Sequence, residues 1–391
     1  MKILIYATTF GADLLSFTKF ISDYKNAEVK VLMSGVNQFM REGISDYWDL
    51  DVELHETNKI NMIRGIKGFS PDITIMDNNI PLRKLSPKAL ILWHGYGWKG
   101  PNDEEEFKWL HRNLKVTWGS MKEPNDDIKW QCFGPVDYEH RTKISGFHKE
   151  NCLILGSASH DYLQEDVPKK DLQPYYPFDV ENRKTILIAP TWHYGEVFSH
   201  WGDDKSLFNK LISGLKEKNV NVILRLHDSF RFEESYLNFL HTLERKYSNV
   251  CLKFKNHHPD NFLDLQVSDL LVTNFSSIAN LFYATHRPTV HIYPVKSEDE
   301  SFMWLNKTVF GIRKRKVDSV KFIWKYPPED NGGTLAKNFE EMVDQIMNGL
   351  ANPDCCRQRA QQYLDKHMLG ADKKNCERIW NSVENLVSDG K

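Results

Sequence analysis

Leu270-Leu-Val-Thr-Asn274-Phe-Ser276-Ser277-Ile278 is the stretch from which the architecture of this chain is read most directly. Its apolar and β-branched start is typical of a buried strand, two serines follow where that strand ends, and helical spacing of apolar residues continues to Ala284. A strand, a short turn and a helix in this order form part of a βαβ unit, in which the next strand runs parallel to the first. The stretch therefore predicts a parallel α/β sheet.

The same alternation continues on both sides of this stretch, with amphipathic helices between the strands. The predicted strands are Lys2–Ala7, Glu28–Met33, Asp72–Met76, Ala89–Trp93, Lys115–Trp118, Cys152–Leu155, Thr185–Ala189, Asn221–Leu226, Val250–Phe254, Leu270–Thr273 and Thr289–Tyr293. The predicted helices are Ala12–Tyr24, Lys205–Glu217, Arg231–Tyr247, Ser277–Ala284, Ala336–Leu350, Asp354–His367 and Asp372–Leu386. After Tyr293 the chain is predicted to be irregular until those last helices.

A polar stretch with three prolines, Pro168–Phe178, separates the two series of strands and is typical of a linker. We therefore expect two Rossmann-like, doubly wound α/β domains that face a cleft, at residues 1–165 and 166–391. The C-terminal helix is a candidate to pack back on the first domain. Ligands in such sheets bind beyond the carboxyl ends of the strands, so functional side chains are expected there.

Composition excludes several classes of protein. The 391 residues carry 51 Lys and Arg against 53 Asp and Glu, and this balance argues against a nucleic-acid partner. Hydrophobic residues make up 41% and charged residues 27%, as in globular proteins. The apolar stretch near the N-terminus is too short for a signal peptide, and the six cysteines form no CxxC motif. A cytoplasmic location is expected.

The first candidate functional cluster is Trp93-His94-Gly95-Tyr-Gly-Trp-Lys99-Gly100, which follows a predicted strand. A histidine at a strand end can act as a general base near neutral pH, and the glycines allow the backbone to approach a ligand closely. A lone histidine there would more often fill a packing role. The glycines and Lys99 favour the functional interpretation.

Three further strand ends carry polar residues. Pro190 and Thr191 follow one strand, and Arg225 and His227 share one side of the next, where they form a plausible cradle for a diphosphate. Ser276 and Ser277 combine hydroxyls with a helix start, which suits either an anion or an ordinary N-cap. The adjacent pair His257-His258 diverges, so a metal site is not expected there.

Taken in order, these motifs resemble those of the CDP-glycerol glycerophosphotransferase family of teichoic acid and capsule synthesis. The family's Trp-His-Gly-x-x-x-Lys, Ala-Pro-Thr-Trp, Arg-x-His and Asp-Tyr-Ser-Ser patterns correspond to Trp93–Lys99, Ala189–Trp192, Arg225–His227 and Asn274–Ser277. The resemblance extends from Leu92 to Tyr293 and implies a fold of the glycosyltransferase-B type. It also implies an acceptor-side N-terminal domain and a nucleotide-donor C-terminal domain.

The chain departs from the family pattern at four places. Tyr96-Gly97-Trp98 stands where the family usually has Thr-Pro-Leu, and Ser159 stands where an arginine is usual. Asn274 replaces an aspartate, and Leu281 occupies the position of an acidic residue. These departures leave the donor open among CDP-glycerol, CDP-ribitol and another nucleotide-activated group.

The resemblance implies a transferase that moves a phospho-polyol from a CDP-activated donor to a hydroxyl of a cell-surface polymer or its lipid-linked precursor and releases CMP. In this scheme His94 is the general base, and His227 hydrogen-bonds the donor diphosphate and stabilises CMP as it leaves. The predicted donor-binding residues are Gly95, Lys99, Pro190, Thr191, Arg225, Asn274, Ser276 and Ser277. No cofactor is expected, because the CDP-linked donor is a substrate, and no metal is expected, because none of these strand ends carries an Asp-x-Asp site.

Two other functions remain open from the sequence: a nucleotide-sugar glycosyltransferase or epimerase of the same fold, and a non-catalytic polymer-binding relative. The presence of both His94 and His227 speaks against the second. The basic run Arg313–Lys316 suits a polyanionic acceptor, anionic lipid at the inner face of the cell membrane, or plain solvent. The oligomeric state is not determined by the sequence.

Overall fold

The computed structural model describes the chain except for residues 8–9, 42–43, 78, 94, 99–101, 192–196, 199, 294–300, 309–310, 319–324, 370–371 and 389–391, and at 44–45 and 301–318 it describes the backbone alone. Two parallel sheets with flanking helices account for most of these residues. The predicted α/β class with two Rossmann-like halves is therefore confirmed.

The first sheet contains seven parallel strands in the order β3-β2-β1-β4-β5-β6-β7. Their bounds are β1 Lys2–Ala7, β2 Glu28–Met33, β3 Glu53–Glu56, β4 Ile73–Met76, β5 Lys88–Ile91, β6 Ile128–Cys132 and β7 Cys152–Ile154. The strand order reverses between β1 and β4, where the two neighbouring strands are followed by connections that leave in opposite directions. Such a reversal opens a crevice at the carboxyl edge of the sheet.

Among the residues that the structure describes, eight helices accompany this sheet and the connection to the second: α1 Ala12–Tyr24, α2 Val36–Arg41, α3 Ile44–Trp48, α4 Asn61–Arg64, α5 Lys108–Thr117, α6 Pro135–Lys143, α7 Ala158–Leu163 and α8 Lys169–Leu172. Helix α1 forms where Leu14, Phe17 and Ile21 recur at helical spacing, and all three side chains are buried. The prolines of the predicted linker border α8, since Pro168 is its N-cap residue.

The second sheet contains six parallel strands in the order β10-β9-β8-β11-β12-β15. Their bounds are β8 Thr185–Ile188, β9 Asn221–Leu226, β10 Val250–Phe254, β11 Leu270–Thr273, β12 Thr289–Ile292 and β15 Thr334–Ala336. The helices of this half are α9 Asp204–Glu217, α10 Glu234–Lys246, α11 Phe262–Val267, α12 Ile278–Phe282, α13 Phe339–Ala351, α14 Arg357–His367 and α15 Asn375–Ser388. Here the order reverses between β8 and β11.

The strand predicted at Lys115–Trp118 is wrong, because these residues complete and follow helix α5. Leu110, Leu114 and Trp118 are buried at a spacing of four residues, which is a helical period. Three β-branched or aromatic residues, Val116, Thr117 and Trp118, were insufficient evidence for a strand. The true neighbouring strand is β6, whose buried residues Ile128, Trp130 and Cys132 alternate along one face.

The region after Tyr293 is not irregular throughout. Strands β13 Ser301–Thr308 and β14 Gly311–Asp318 form an antiparallel hairpin, and β15 joins the edge of the second sheet. Among the strands that the structure describes, β13 and β14 pair only with each other.

The C-terminal helix α15 packs against α1 and α7 of the first half. Asp161 in α7 accepts hydrogen bonds from the backbone nitrogens of Asn375 and Cys376 at 3.2 and 2.8 Å, and these bonds satisfy the first turn of α15. One apolar core contains residues of both halves, such as Phe17, Phe275 and Trp380. The domain limits at 165 and 166 remain a prediction.

Candidate functional site

A cavity of about 560 Å³ lies between the carboxyl ends of the two sheets, and we call it the central cavity. The strand order of the first sheet reverses between β1 and β4, and that of the second between β8 and β11. Residues that follow all four strands line the cavity, so it lies at both reversals. From the first half its wall includes Gly11, Asp13, Asp77, Trp93, Gly95, Tyr96 and Gly97. From the second half its wall includes Pro190, Thr191, Arg225, His227, Lys255, Ser276 and Ser277. Doubly wound sheets bind their ligands at this position.

The structure brings most of the predicted site residues together. Gly95, Pro190, Thr191, Arg225, His227, Ser276 and Ser277 all line the central cavity. Asn274 is buried and does not line it, and its place is described below. His94 and Lys99 lie outside the described residues.

The loop after β5 is held against the second half of the molecule. Nε1 of Trp93 donates a hydrogen bond to the carbonyl oxygen of Gly95 at 2.6 Å. The side-chain amide of Asn280 in α12 donates to the carbonyl oxygen of Tyr96. Gly95 and Tyr96 therefore line the same cavity as Ser276 and Ser277 of the second half.

Trp98 anchors the end of the same loop and is fully buried. Its ring lies 5.3 Å from those of Phe275 and Tyr363, and its Nε1 donates to the carbonyl oxygen of Asp330 at 2.7 Å. The substitution of Tyr-Gly-Trp for the usual Thr-Pro-Leu thus places a large aromatic side chain of the first half in the core of the second.

Tyr96 is tied to the second half by a buried polar chain. Its hydroxyl lies 2.9 Å from Nδ1 of His367, whose Nε2 lies 2.9 Å from a carboxylate oxygen of Asp330. Burial is the main cause that lowers the pKa of His367, so the ring is neutral at pH 7. A neutral ring accepts from Tyr96 at Nδ1 and donates from Nε2 to Asp330.

Asn274 braces two strand ends instead of facing the central cavity. Its Oδ1 accepts a hydrogen bond from the backbone nitrogen of Thr191 at 2.5 Å. Thr273 adds a second link, because its hydroxyl donates to the carbonyl oxygen of Ala189 at 2.7 Å. These bonds fix the carboxyl ends of β8 and β11 side by side and present Pro190 and Thr191 to the cavity.

Ser276 and Ser277 reach the central cavity because the chain turns sharply at Phe275. The backbone of Phe275 adopts φ of 64°, a left-handed conformation that is rare for a bulky residue. The Phe275 ring is buried and stacks on His291 at 4.5 Å, which holds the turn in place. Ser277 is the N-cap residue of α12, yet its side chain makes no capping hydrogen bond. The helix begins one residue later than predicted and has five residues.

Arg225 reaches the cavity wall, but its guanidinium is already engaged. Nη1 forms an ion pair with Asp264 at 2.9 Å, and Nη2 donates to the carbonyl oxygen of His258 at 2.6 Å. Lys253 and Tyr176 also bind the Asp264 carboxylate, at 2.7 Å each. Burial opposes ionisation of Asp264, but the two cations lower its pKa below the usual value. Arg225 is therefore part of a buried structural network as well as of the cavity wall.

His227 is neutral in this environment. Burial lowers its pKa to about 4, although Asp228 beside it favours the charged form. Its Nδ1 accepts hydrogen bonds from the backbone nitrogen of Asp228 at 2.8 Å and from Nε of Arg231 at 3.0 Å. The same Nδ1 also lies 2.8 Å from a carboxylate oxygen of Asp228, so the contacts at Nδ1 include two donors and one acceptor. In the neutral tautomer with the proton on Nε2, the ring can donate a hydrogen bond to an anionic oxygen over the physiological pH range.

Sequence reasoning missed Lys255 and Asp77 as cavity residues. Lys255 follows β10 directly, and its backbone nitrogen bonds to the carbonyl oxygen of Leu226, so it sits beside His227. Asp77 follows β4 and is buried in the wall of the first half. Both satisfy the strand-end rule that selected the other candidates, and this rule would have found them.

The described part of the chain lacks two kinds of feature. No group of three or more His, Cys, Asp or Glu side chains there is arranged to hold a metal ion. No helix among the described residues combines the length and apolar character needed to cross a membrane.

Known proteins share this architecture. Wall teichoic acid polymerase TagF superimposes on 100% of this chain and 90% of its own with a TM-score of 0.66 at 12% identity. The UDP-GlcNAc 2-epimerase from Neisseria meningitidis, solved with UDP-GlcNAc, covers 98% of this chain and 100% of its own with a TM-score of 0.56, also at 12% identity. These similarities confirm the predicted glycosyltransferase-B type of fold.

Sequence similarity points to teichoic acid polymerases. Teichoic acid ribitol-phosphate polymerase TarK from Staphylococcus aureus is 23% identical over 62% of this chain and 42% of its own length. The minor teichoic acid biosynthesis protein GgaB of Bacillus subtilis is 20% identical over 63% of this chain and 25% of its own. The matched region therefore spans less than half of these relatives.

The family model described as CDP-Glycerol:Poly(glycerophosphate) glycerophosphotransferase matches residues 87–298, which is more than half of the chain. This range contains all the predicted site residues and the ends of β8 and β11, whereas β1 and β4, whose ends also border the central cavity, precede it. The resemblance inferred from the motifs is thereby confirmed, and the chain belongs to the CDP-glycerol:poly(glycerophosphate) glycerophosphotransferase family of enzymes.

Proposed function

We propose that this chain transfers a phospho-polyol from a CDP-activated donor to a hydroxyl of a cell-surface polymer or its lipid-linked precursor and releases CMP. The observation that carries the proposal is the central cavity itself. It gathers Thr191, His227, Ser276 and Ser277 from the ends of three strands of the second half, opposite Trp93 and Gly95 of the first half. A TagF structure soaked with CDPG, with a TM-score of 0.66 to this chain, supports a donor of this class.

The proposed reaction is one displacement at the donor's distal phosphorus. The acceptor oxygen forms a bond to that phosphorus, the bond from it to the oxygen of CMP breaks, and CMP leaves with the bonding electron pair. His94 takes the proton of the acceptor hydroxyl. Nε2–H of His227 donates to a diphosphate oxygen, and Ser276, Ser277 and Thr191 supply further hydrogen bonds. Positioning and charge stabilisation carry most of such a reaction.

Arg225 and Asn274 act less directly in this proposal than the motif alone implied. The bond from Arg225 to Asp264 leaves its positive charge near the cavity, so it contributes to the potential felt by the diphosphate. Asn274 holds Thr191 in place through its Oδ1 atom. Lys99 is proposed as a further donor-binding cation on the motif alone.

Incubation with candidate donors tests the proposal. Purified protein is mixed with CDP-glycerol, CDP-ribitol and UDP-sugars and an acceptor polymer, and release of CMP or UDP is measured. CMP release that depends on the acceptor supports the proposal. UDP release instead would assign the chain to the glycosyltransferases or epimerases, and no release from any donor would favour a non-catalytic, polymer-binding role.

Variants of the two histidines separate their proposed roles. His94→Ala should lower the transfer rate by about 10² to 10⁴ and leave donor binding unchanged, because only a general base is lost. His227→Ala should weaken donor binding and the rate together. His241→Ala, at an exposed position on α10, is the matched control. Near wild-type turnover of His94→Ala with saturating acceptor would refute the assignment of the base.

We also propose a cytoplasmic location with the hairpin β13–β14 in contact with the polyanionic acceptor. The strand β14 contains Arg313–Lys316, and residues 301–318 include five basic residues and one acidic residue in a chain of net charge −2. Backbone pairing sets Arg315 opposite Trp304 and Arg313 opposite Asn306. Anionic lipid at the inner membrane face is the alternative partner for the same charges.

A further inference from the structure

We propose that Lys255 is a binding residue for the diphosphate of the nucleotide-activated substrate in the central cavity, an inference that rests on the proposed function. Lys255 belongs to none of the motifs that identify the family in this chain. It occupies the wall of the second half together with His227, Ser276 and Ser277.

The register of β9 and β10 places basic residues at two positions along the strands, an inner level and an outer level. At the inner level Arg225 lies opposite Lys253, and both cations bind the carboxylate of Asp264, at 2.9 and 2.7 Å. Two residues further along each strand, Lys255 lies beside His227 at the open end of the sheet. The inner level is thus paired within the protein, and the outer level faces the cavity.

The Lys255 ammonium is partly desolvated, since its side chain is half-buried, and it has no direct partner among the described residues. Burial is the main cause that lowers its pKa, and Arg225 nearby acts in the same direction, whereas Asp228 and Asp77 favour the charged form. Nζ of Lys255 makes no hydrogen bond or ion pair to any residue that the structure describes. A desolvated ammonium next to a cavity gains most from an anion that enters the cavity.

The opposite wall determines where that anion binds. Asp13 and Asp77, at 5% and 4% exposure, are carboxylates of the first half that line the central cavity. The Asp13 carboxylate accepts hydrogen bonds from Ser157, Ser159 and Gln131, and neither aspartate offers a positive charge to a phosphate. On the wall of the second half, the neutral His227, the two serine hydroxyls and Lys255 together offer hydrogen-bond donors and a positive charge. A diphosphate therefore fits this wall, and the hydroxyl-bearing part of the substrate fits the other.

Calorimetric titration of the full chain tests the proposal with CDP, UDP, inorganic pyrophosphate and cytidine, the last by competition with CDP. Lys255→Met should weaken the binding of CDP and pyrophosphate about 10- to 100-fold, the usual range for a charge-assisted hydrogen bond. Cytidine binding should stay unchanged. Lys255→Arg should restore part of the lost affinity, and Lys218→Met, an exposed lysine at the end of α9, should have no effect.

Each outcome distinguishes this inference from the proposed function. Unchanged CDP affinity in Lys255→Met, or an equal loss for cytidine, would overturn the role of Lys255 and leave the proposed function standing. A wild-type preference for UDP, weakened by Lys255→Met, would overturn the CDP donor and support Lys255. Absence of any diphosphate binding to the wild type would overturn both. Lys255→Gln is the second variant should Lys255→Met fail to fold.

Discussion

Replacement of Trp98 by alanine is expected to destabilise the whole molecule, because this side chain joins the two halves. The ring is fully buried between Phe275, Tyr283, His291 and Tyr363, and Nε1 donates to the carbonyl oxygen of Asp330 at 2.7 Å. Truncation of a buried Trp or Phe costs about 3–5 kcal/mol, and the lost hydrogen bond leaves a carbonyl without its donor. We expect a loss of about 4 kcal/mol, which is a large part of the 5–15 kcal/mol typical of a folded protein.

The measurement is urea unfolding followed by far-UV circular dichroism, in which the loss of one tryptophan does not change the signal. The matched control is Trp109→Ala on α5, since that ring is 50% exposed and its removal should cost about 1 kcal/mol or less. Trp98→Phe keeps most of the ring contacts and loses the donor, so it should fall between the two. A Trp98→Ala variant no less stable than Trp109→Ala would refute the view that this residue fastens the halves together.

Three further predictions follow from the electrostatics. Because the folded pKa of His227 is lowered from 6.5 to about 4, the stability due to its neutral ring is complete above pH 6.5 and is lost as the pH falls to 4. The free energy of unfolding, measured between pH 6.5 and 4, should fall by about 3 kcal/mol less in His227→Asn than in the wild type. Equal falls in the two proteins would contradict the lowered pKa of His227. Asp264→Asn should cost about 3–5 kcal/mol in chemical unfolding, because it leaves Arg225 and Lys253 buried without their carboxylate. An effect no larger than that of Glu340→Gln, which removes a surface pair, would contradict this view. Neutralisation of Arg313–Lys316 should weaken binding to a polyanionic acceptor about 10-fold at low salt and leave sedimentation with anionic liposomes unchanged. The opposite result would assign the run to lipid, and no change in either would mean that these charges of β14 face only solvent.

The periodicity of the chain determined much of the architecture. Buried parallel strands are short and apolar, so β1, β2, β9, β10 and β11 were predicted with their observed limits. The errors arose where local pattern and tertiary packing disagree. Lys115–Trp118 looks extended by composition, but its burial follows the helix that packs on the sheet. The hairpin β13–β14 was missed because charged residues along β14 hide the alternation that marks a strand.

For the site too, the sequence predicted some features and only the tertiary structure determined the others. Motif order predicted that residues at separate strand ends would meet, because all parallel strands of one sheet end at the same edge. The sequence could not show that Asp264 engages Arg225 or that Asn274 braces Thr191, since each pair joins segments at least 39 residues apart. Nor could it show that His227 is neutral or that Lys255 stands beside it. Burial and strand register decide these properties, and both exist only in the folded molecule.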